Sequence, residues 1–227
     1  MISIDNLKFY YKENKLVFDD LSFYIPNQCI MGLLGHNGAG KTTLFRLISG
    51  ILKPQNGSII IDNKILKQLP RNYISYMPEK GGLYENLTVY ENILLRARTA
   101  LAYDNFKVNY EQLMDELKLE NLKNEKVTYL SNGMKKRLLM LCTLIIEPKI
   151  LILDEPTVGI DPESLEIIIE LLKTYNKKKV DILISSHDLN VIQDLCSDII
   201  VLKEGKIMFQ GNTESSQSLK DLYFRYC

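Results

Sequence analysis

The amino-acid sequence predicts an α/β protein with a mainly parallel sheet, a strand-rich N-terminal part and an inserted helical segment. Residues 1–61 are dominated by strand patterns, residues 83–147 by helical periods, and residues 148–227 alternate strands with helices. Such alternation implies a parallel sheet, because the connection between parallel strands is usually a helix. We therefore expect one domain, whose α/β core over residues 1–82 and 148–227 is interrupted by a helical subdomain over about residues 83–147.

The N-terminal part begins with strands that alternate apolar and polar residues, as half-buried strands do. A helix is expected over Lys41–Ser49, because Gly50 stops it and Pro54 follows shortly. Strands are predicted over Ile2–Phe9, Leu21–Ile25, Cys29–Leu34 and Ile59–Ile61. A glycine-containing loop therefore joins a short apolar strand to a helix.

The helical segment opens with a capping box, in which Thr88 and Glu91 close the first turn of a helix directed toward Leu101. Pro148 ends the last helix of this segment, and Asp161-Pro162 starts another helix as N-cap and first helical residue. Further helices are predicted over Tyr110–Leu119, Lys135–Glu147 and Asp188–Cys196, and strands over Ile150–Leu153, Asp181–Ile184, Ile199–Leu202 and Lys206–Gln210.

Composition excludes several classes of protein. Lys and Arg number 28 and so do Asp and Glu, so the chain lacks the basic surplus expected of a nucleic-acid binder. No apolar stretch approaches the roughly twenty residues that a membrane-spanning helix needs, and the N-terminus does not resemble a secretory signal. The four cysteines form no C-x-x-C pair. We expect a cytoplasmic protein without disulfides, a zinc site or a nucleic-acid partner.

A phosphate-binding loop is predicted at residues 35–42, where Gly-His-Asn-Gly-Ala-Gly-Lys-Thr matches G-x-x-x-x-G-K-[ST] between a strand and a helix. Its glycines let successive backbone N–H groups approach a polyphosphate, and the helix points its positive end at the same anion. Lys41 is expected to reach the β- and γ-phosphates of the ligand, Thr42 to bind Mg²⁺, and Thr43 to donate to the α-phosphate. The predicted nucleotide-binding residues are Gly35, Asn37, Gly38, Ala39, Gly40, Lys41, Thr42 and Thr43. The alternative is a glycine-rich turn that binds nothing.

Two carboxylates follow the apolar strand Ile150–Leu153 directly. In an open parallel sheet, ligands bind at the carboxyl ends of strands. Asp154 is therefore expected to hold Mg²⁺, and Glu155 to polarise the attacking water as general base. The alternative is a solvated acidic turn before Pro156.

Leu-Ser-Asn-Gly-Met-Lys-Lys-Arg-Leu at residues 130–138 resembles the signature, usually Leu-Ser-Gly-Gly-Gln, of the nucleotide-binding domain of ATP-binding cassette (ABC) transporters. The resemblance covers nearly the whole chain. It implies a P-loop NTPase core with an N-terminal antiparallel β subdomain and an inserted α-helical subdomain. Ser131 and Gly133, which approach a phosphate in the family, are present, whereas Asn132 replaces a glycine and Met134 replaces the glutamine. The alternative is a plain helix cap.

The same resemblance gives roles to further residues. His187, after the strand Asp181–Ile184, would contact the γ-phosphate and the attacking water. Glu79 occupies the position of the Q-loop glutamine and could offer an oxygen to Mg²⁺. Tyr11, or its neighbour Tyr10, would stack on adenine. Asp161 ends a segment that resembles the D-loop, although its role as a helix N-cap is sufficient by itself.

The implied function is ATP hydrolysis in a head-to-tail homodimer, with ATP held between Lys41 of one subunit and Ser131 of the other. The implied partner is a separate membrane-spanning permease, one helix of which would enter a groove near residues 79–90. This would place the chain on the cytoplasmic face of the cell membrane. Met-Lys-Lys at residues 134–136 is among the features resembling ABC-2-type exporters. Two alternatives are a soluble, non-transport ABC ATPase and a regulatory subunit that hydrolyses ATP weakly.

Overall fold

The computed structural model describes residues 1–13, 15–100, 106–213 and 219–226. The strands are β1 (Ile2–Tyr10), β2 (Leu16–Ile25), β3 (Ile30–Leu34), β4 (Asn56–Ile61), β5 (Lys64–Ile65), β6 (Ile74–Met77), β7 (Ile150–Asp154), β8 (Asp181–Ser185), β9 (Asp198–Lys203) and β10 (Lys206–Asn212). The helices are α1 (Lys41–Ile48), α2 (Val89–Thr99), α3 (Phe106–Glu116), α4 (Asn132–Leu144), α5 (Pro162–Lys177), α6 (Leu189–Leu195) and α7 (Leu219–Tyr226).

The chain divides into two compact units. The first contains Met1–Pro70 and Asp181–Cys227, and the second contains Arg71–Val180. The second unit is thus an insertion in the sequence of the first. The narrower helical subdomain at about residues 83–147 stays a prediction.

The first unit contains an antiparallel sheet at its N-terminal end. Its strand order is β2-β1-β4-β5, and every pairing in it is antiparallel. Ile2, Ile4, Leu7 and Phe9 of β1 are buried, and polar or half-buried residues lie between them. Register shifts along β1 interrupt the strict alternation. The predicted strand-rich N-terminal part is confirmed as an antiparallel subdomain.

The first unit also contains the strands that position the predicted phosphate loop. β3 pairs in parallel with both β8 and β9, and β10 closes the edge as an antiparallel neighbour of β9. Every residue of β3 and β8 is buried, as expected of strands covered on both faces. The α/β class is therefore confirmed, with a parallel core and one antiparallel edge strand.

The second unit combines two parallel strands with most of the described helices. β6 pairs in parallel with β7, and β7 is buried throughout. Helix α4 packs against α2, α5 and β6, which buries its C-terminal half from Leu138 to Leu144. The predicted helical insertion is present here. Among the described residues, no helix combines the length and apolar character that crossing a membrane requires.

Several predicted boundaries need correction. α4 begins at Asn132 rather than Lys135, because the Ser131 side chain caps it, so Gly133 and Met134 are helical. α3 begins at Phe106 rather than Tyr110, and β2 extends back to Leu16. Strand β6 and helix α7 are not predicted by the sequence pattern. The predicted end of α2 at Leu101 falls outside the described residues.

Candidate active site

The phosphate loop joins β3 to α1 in the first unit. Within it, the Ala39 amide donates to the His36 carbonyl at 3.1 Å. Helix α1 starts after Gly40, which has a φ of 111°, and among the described residues no side chain caps this helix start. Because the N-cap residue is a glycine, it offers no side-chain acceptor to the amides of the first turn of α1, an arrangement suited to an anion.

Two glycines of the loop are required by their surroundings. A Cβ on Gly35 would lie 2.3 Å from the Leu202 carbonyl oxygen, so β9 leaves no space for a side chain there. Gly40 combines positive φ with a Cβ position 3.0 Å from the Phe18 ring. These contacts explain why the loop needs glycine even before any ligand is considered.

Lys41 lies inside the loop rather than in solvent. Its side chain is buried, and its Nζ donates to the carbonyls of Gly35 at 2.6 Å and His36 at 3.3 Å. The loop thereby combines an ammonium, held by its own carbonyls, with the backbone amides of the same segment. Both kinds of group favour a polyphosphate.

Tyr11 directly follows β1 and contacts the helix that carries the loop. Its hydroxyl and the Thr43 Oγ1 are 3.1 Å apart, and its ring meets Phe9 edge-on at 5.0 Å. The side chain remains 46% exposed. Tyr10, in contrast, is a paired residue of β1 opposite Leu16. Of the two tyrosines, Tyr11 is the one tied to α1 with a ring that is accessible for stacking.

His187 belongs to the same edge of the first unit as the loop. Leu33 of β3 is paired with Ser185 of β8 in parallel register, so both chains leave the sheet at the same end. Gly35 and His187 are each two residues beyond that pair. His187 is exposed there.

In the second unit, Asp154 ends β7 with a buried carboxylate that is 1% exposed. The Tyr76 hydroxyl donates to its Oδ2 at 3.1 Å. Sequence reasoning did not assign Tyr76 a role, because its neighbour relation to Asp154 depends on the unpredicted strand β6. The parallel pairing of β6 with β7 brings the two residues together.

Glu155 follows immediately and is only 4% exposed. Its backbone has a φ of 49°, a left-handed conformation that is uncommon for a residue other than glycine. Such conformations persist where the surroundings hold them, and they are frequent at active sites. The carbonyl of Glu155 accepts a hydrogen bond from the Lys136 Nζ at 3.1 Å.

Lys136 on α4 also reaches the loop after β6, where its Nζ donates to the Glu79 carbonyl at 3.0 Å. Burial lowers the pKa of Lys136, and the negative charges of Glu79, Glu155 and Asp154 oppose that shift. The Glu79 carboxylate itself lies 3.8 Å from the Lys80 ammonium and is 43% exposed. The sequence places Lys136 in the signature-like segment but gives no role to its side chain, because its two acceptors lie in distant parts of the chain.

The signature segment forms the start of α4. The Ser131 Oγ accepts from the Met134 amide at 3.2 Å, and the hydroxyl keeps a proton to donate. Gly133 is buried against α5, where a Cβ would lie 2.0 Å from the Asp161 Oδ2. Asp161 accepts from the Ser164 amide at 2.9 Å and from the Ser164 hydroxyl at 2.8 Å, and these bonds lower its pKa. Asp161 therefore caps α5 and also fills the space beside Gly133, so that only glycine fits at that position of the signature segment.

The residues that could hold Mg²⁺ are oxygen donors. Among the described residues, no group of three or more His, Cys, Asp and Glu side chains could by itself hold a metal ion. Mg²⁺ is usually bound through one or two protein oxygens together with substrate phosphates and water. The Thr42 hydroxyl and the buried Asp154 carboxylate fit that chemistry.

P-loop ATPases have a glycine-rich loop between a buried strand and the N-terminus of a helix, and an acidic pair at the end of another buried strand. The chain has both features. The family model described as ABC transporter matches residues 18–158, more than half of the chain. The chain therefore belongs to the ABC transporter family. It is an ATPase of that family.

Individual relatives resemble the chain along most of its length. It is 32% identical to the lantibiotic transport ATP-binding protein SrtF of Streptococcus pyogenes, and the alignment covers 98% of this chain and 96% of that protein. It is 30% identical to the lipopolysaccharide export system ATP-binding protein LptB of Haemophilus influenzae, with the same two coverages. A solved ATP-binding subunit of an ABC transporter superposes with a TM-score of 0.88 at 28% identity, covering 100% of this chain and 99% of that one.

Proposed function

We propose that the chain powers transport through a separate membrane-spanning permease by hydrolysing ATP in a head-to-tail homodimer. The observation that carries the proposal is the buried Glu155, held in a left-handed backbone conformation next to Asp154 at the end of β7. A buried carboxylate that follows a metal-binding aspartate has the position of a general base.

The phosphate loop binds ATP through groups that complement negative charge. The amides at residues 37–43 and the Lys41 ammonium neutralise the triphosphate. Thr43 donates to the α-phosphate, and Tyr11 stacks on adenine. Stacking of this kind contributes about 1–3 kcal/mol and tolerates different bases.

Asp154 and Thr42 are the residues that would hold Mg²⁺, and Glu79 is a third candidate ligand. When bound, the ion supplies charge neutralisation at the β- and γ-phosphates. The Tyr76 hydroxyl keeps the Asp154 carboxylate oriented through its 3.1 Å hydrogen bond. Tyr76 is thus a positioning residue for the metal ligand.

Glu155 accepts the proton of the attacking water, and His187 contacts the γ-phosphate. The reaction needs positioning and charge neutralisation more than covalent chemistry. Because general-base catalysis contributes about 10²- to 10⁴-fold to a rate, loss of the Glu155 carboxylate is expected to halt turnover almost completely.

Ser131 and Gly133 form a second anion-binding helix start, and one chain needs only one phosphate loop. We therefore assign this second site to the ATP bound by the partner subunit. The γ-phosphate bridges the two subunits, and its hydrolysis removes the bridge. ATP binding thus favours the closed dimer, and hydrolysis favours the open one, which is a ligand-driven population shift.

The permease would contact the second unit at a groove of about 420 Å³. Leu83, Leu139 and Val127 give the groove an apolar lining. Glu79 of the loop after β6, Lys136 of α4 and Gly159 before α5 line it as well. Tyr84, just beside it, is 62% exposed, whereas Tyr90 packs edge-on against Tyr110 at 5.5 Å. Of these two tyrosines, Tyr84 is therefore the one available to a partner, and the chain would be bound to the membrane surface through the permease.

Export is the direction that we propose. One relative is named for lipopolysaccharide export and another for lantibiotic transport. The resemblance of the Met-Lys-Lys segment at residues 134–136 to that of ABC-2-type exporters also supports export.

Glu155→Gln tests the proposal. We expect the variant to retain ATP binding, to form an ATP-dependent dimer, and to lose steady-state ATPase activity by about 10²- to 10⁴-fold. Lys41→Ala is the control and should lose binding as well. Turnover near the wild-type rate in Glu155→Gln would remove Glu155 from the role of general base.

A second experiment tests the permease. Co-sedimentation with membranes should depend on co-expression of the permease and should be weakened by Tyr84→Glu. Tyr24→Glu changes an equally exposed tyrosine of β2 in the first unit and should have no effect. Equal loss in both variants would argue against the groove as the contact site.

A further inference from the structure

One ammonium group connects the two acidic segments of the second unit. The Lys136 Nζ donates to the backbone carbonyl of Glu155 at 3.1 Å and to that of Glu79 at 3.0 Å. Both acceptors are backbone oxygens, so these contacts restrain the paths of two chain segments rather than their side chains.

The two segments leave neighbouring strands at the same end. Met77 of β6 is paired in parallel with Leu153 of β7, and Glu79 and Glu155 are each two residues further on. The hydrogen-bonded ladder between β6 and β7 ends at the Met77–Leu153 pair. Beyond that pair, the Lys136 ammonium connects the two chain segments through one hydrogen bond to each of them.

Glu155 needs such a restraint more than most residues. Its φ of 49° is unfavourable for a side chain with a Cβ, and conformations of this kind persist only where neighbouring contacts hold them. Besides Lys136, the Glu155 carbonyl accepts from the Val158 amide, at the longer distance of 3.5 Å. The hydrogen bond from Lys136 is thus the shorter of the two.

Lysine suits this position chemically. An ammonium is compact and carries three donors, so one group can serve two carbonyls that point toward it from different segments. Lys136 is half-buried, and it faces the negative charges of Glu79, Glu155 and Asp154. Its positive charge therefore also offsets the acidic character of the site.

We propose that Lys136 is a positioning residue for hydrolysis, which ties Glu155 and the β6 loop (residues 78–82) to helix α4. This inference rests on the proposed role of Glu155 and extends it. Because the β6 loop also lines the groove assigned to the permease, Lys136 provides a mechanical connection between that groove and the general base.

The test compares Lys136→Met, Lys136→Arg and the wild-type chain. Lys173→Met is the matched control, because Lys173 lies on α5 of the same unit in an exposed ion pair with Glu170. The first readout is amide hydrogen exchange in peptides covering residues 78–82 and 155–159. We expect Lys136→Met to accelerate exchange in both segments and Lys173→Met in neither.

The second readout is steady-state ATP hydrolysis, measured with the permease present. Lys136→Met should lower kcat by about tenfold to a hundredfold, as expected for a displaced catalytic group, with KM for ATP almost unchanged. Lys136→Arg keeps the charge and donors and should recover part of the rate. A purely structural role would not lower kcat while leaving the KM for ATP unchanged.

Several results would overturn the inference. Unchanged exchange in both segments would mean that Lys136 restrains neither, and a change in only one would exclude a connection between them. A wild-type kcat in Lys136→Met would exclude the positioning role. Absence of ATPase activity in the wild-type chain would instead contradict the proposed function, and hydrogen exchange would still test the restraint.

Discussion

The Tyr76 hydroxyl donates a 3.1 Å hydrogen bond to the Oδ2 of Asp154, a carboxylate that is almost fully buried. A buried carboxylate is costly unless it is hydrogen-bonded or paired. The second unit thus orients the proposed metal ligand from the neighbouring strand, before any ion binds.

Tyr76→Phe removes this hydrogen bond while preserving the ring. We expect ATPase activity to need a higher Mg²⁺ concentration for half-maximal rate, because the Asp154 carboxylate is less well oriented. A hydrogen bond to a charged group contributes about 1.5–3 kcal/mol, so the shift should be roughly tenfold or more. A Mg²⁺ titration of the hydrolysis rate measures it. Tyr175→Phe on α5 is the control, and an identical Mg²⁺ dependence in all three proteins would contradict the assignment.

Gly133→Ala places a methyl group where the Asp161 carboxylate lies, with only 2.0 Å between the two positions. The start of α4 must then move away from α5, which changes the surface offered to the partner's nucleotide. We expect a loss of stability of about 1–3 kcal/mol, typical of overpacking, and loss of the ATP-dependent dimer. Thermal unfolding and size-exclusion chromatography measure the two effects. Asn132→Ala, at the exposed neighbouring position, should leave stability nearly unchanged; equal stability of both variants would refute the packing argument.

Tyr11→Ala should weaken ATP binding by roughly tenfold to a hundredfold, because stacking on a base contributes about 1–3 kcal/mol. Tyr11→Phe keeps the ring and loses only the contact with Thr43, so its affinity should stay closer to the wild type. Equilibrium titration with a fluorescent ATP analogue provides the Kd values. If Tyr10→Ala weakens binding more than Tyr11→Ala, the stacking residue is Tyr10.

Asp181 gives the first unit a pH-dependent stability. Burial raises its pKa above the ordinary value of 3.8, although the Gln28 amide donates to its carboxylate. The associated stabilisation is complete below pH 3.8 and is lost as the pH rises through the raised pKa of the folded chain. Asp181→Asn should therefore stabilise the chain at pH 7 and lose that advantage toward pH 4. Urea unfolding at the two pH values tests this, and a pH-independent difference would exclude the explanation.

The strand and helix that flank the predicted phosphate loop are confirmed, because the pattern that predicts them is local. The residues from Gly35 to Thr42 are consecutive, and the strand and helix around them follow from short-range patterns. The same holds for Asp154 and Glu155, which end a strand of continuous apolar residues. These elements need no knowledge of distant parts of the chain.

Contacts between distant segments could not be predicted in this way. Tyr76 reaches Asp154 only because β6, a four-residue strand, pairs with β7. Lys136 reaches Glu79 and Glu155 only because α4 packs beside both strand ends. The predicted start of α4 is wrong for a different, local reason: the cap formed by Ser131 extends the helix through residues that the sequence pattern assigns to a loop.

The central claim is that one ATP is held between the phosphate loop of one subunit and the signature of another. Crosslinking tests it most directly, using Glu155→Gln chains that carry either His36→Cys or Asn132→Cys. The native Cys29, Cys142 and Cys196 are buried, and Cys227 is replaced by serine. Mixed chains should form a crosslink between positions 36 and 132 only when ATP and Mg²⁺ are present. ATP binding without that crosslink, at any protein concentration, would contradict the account.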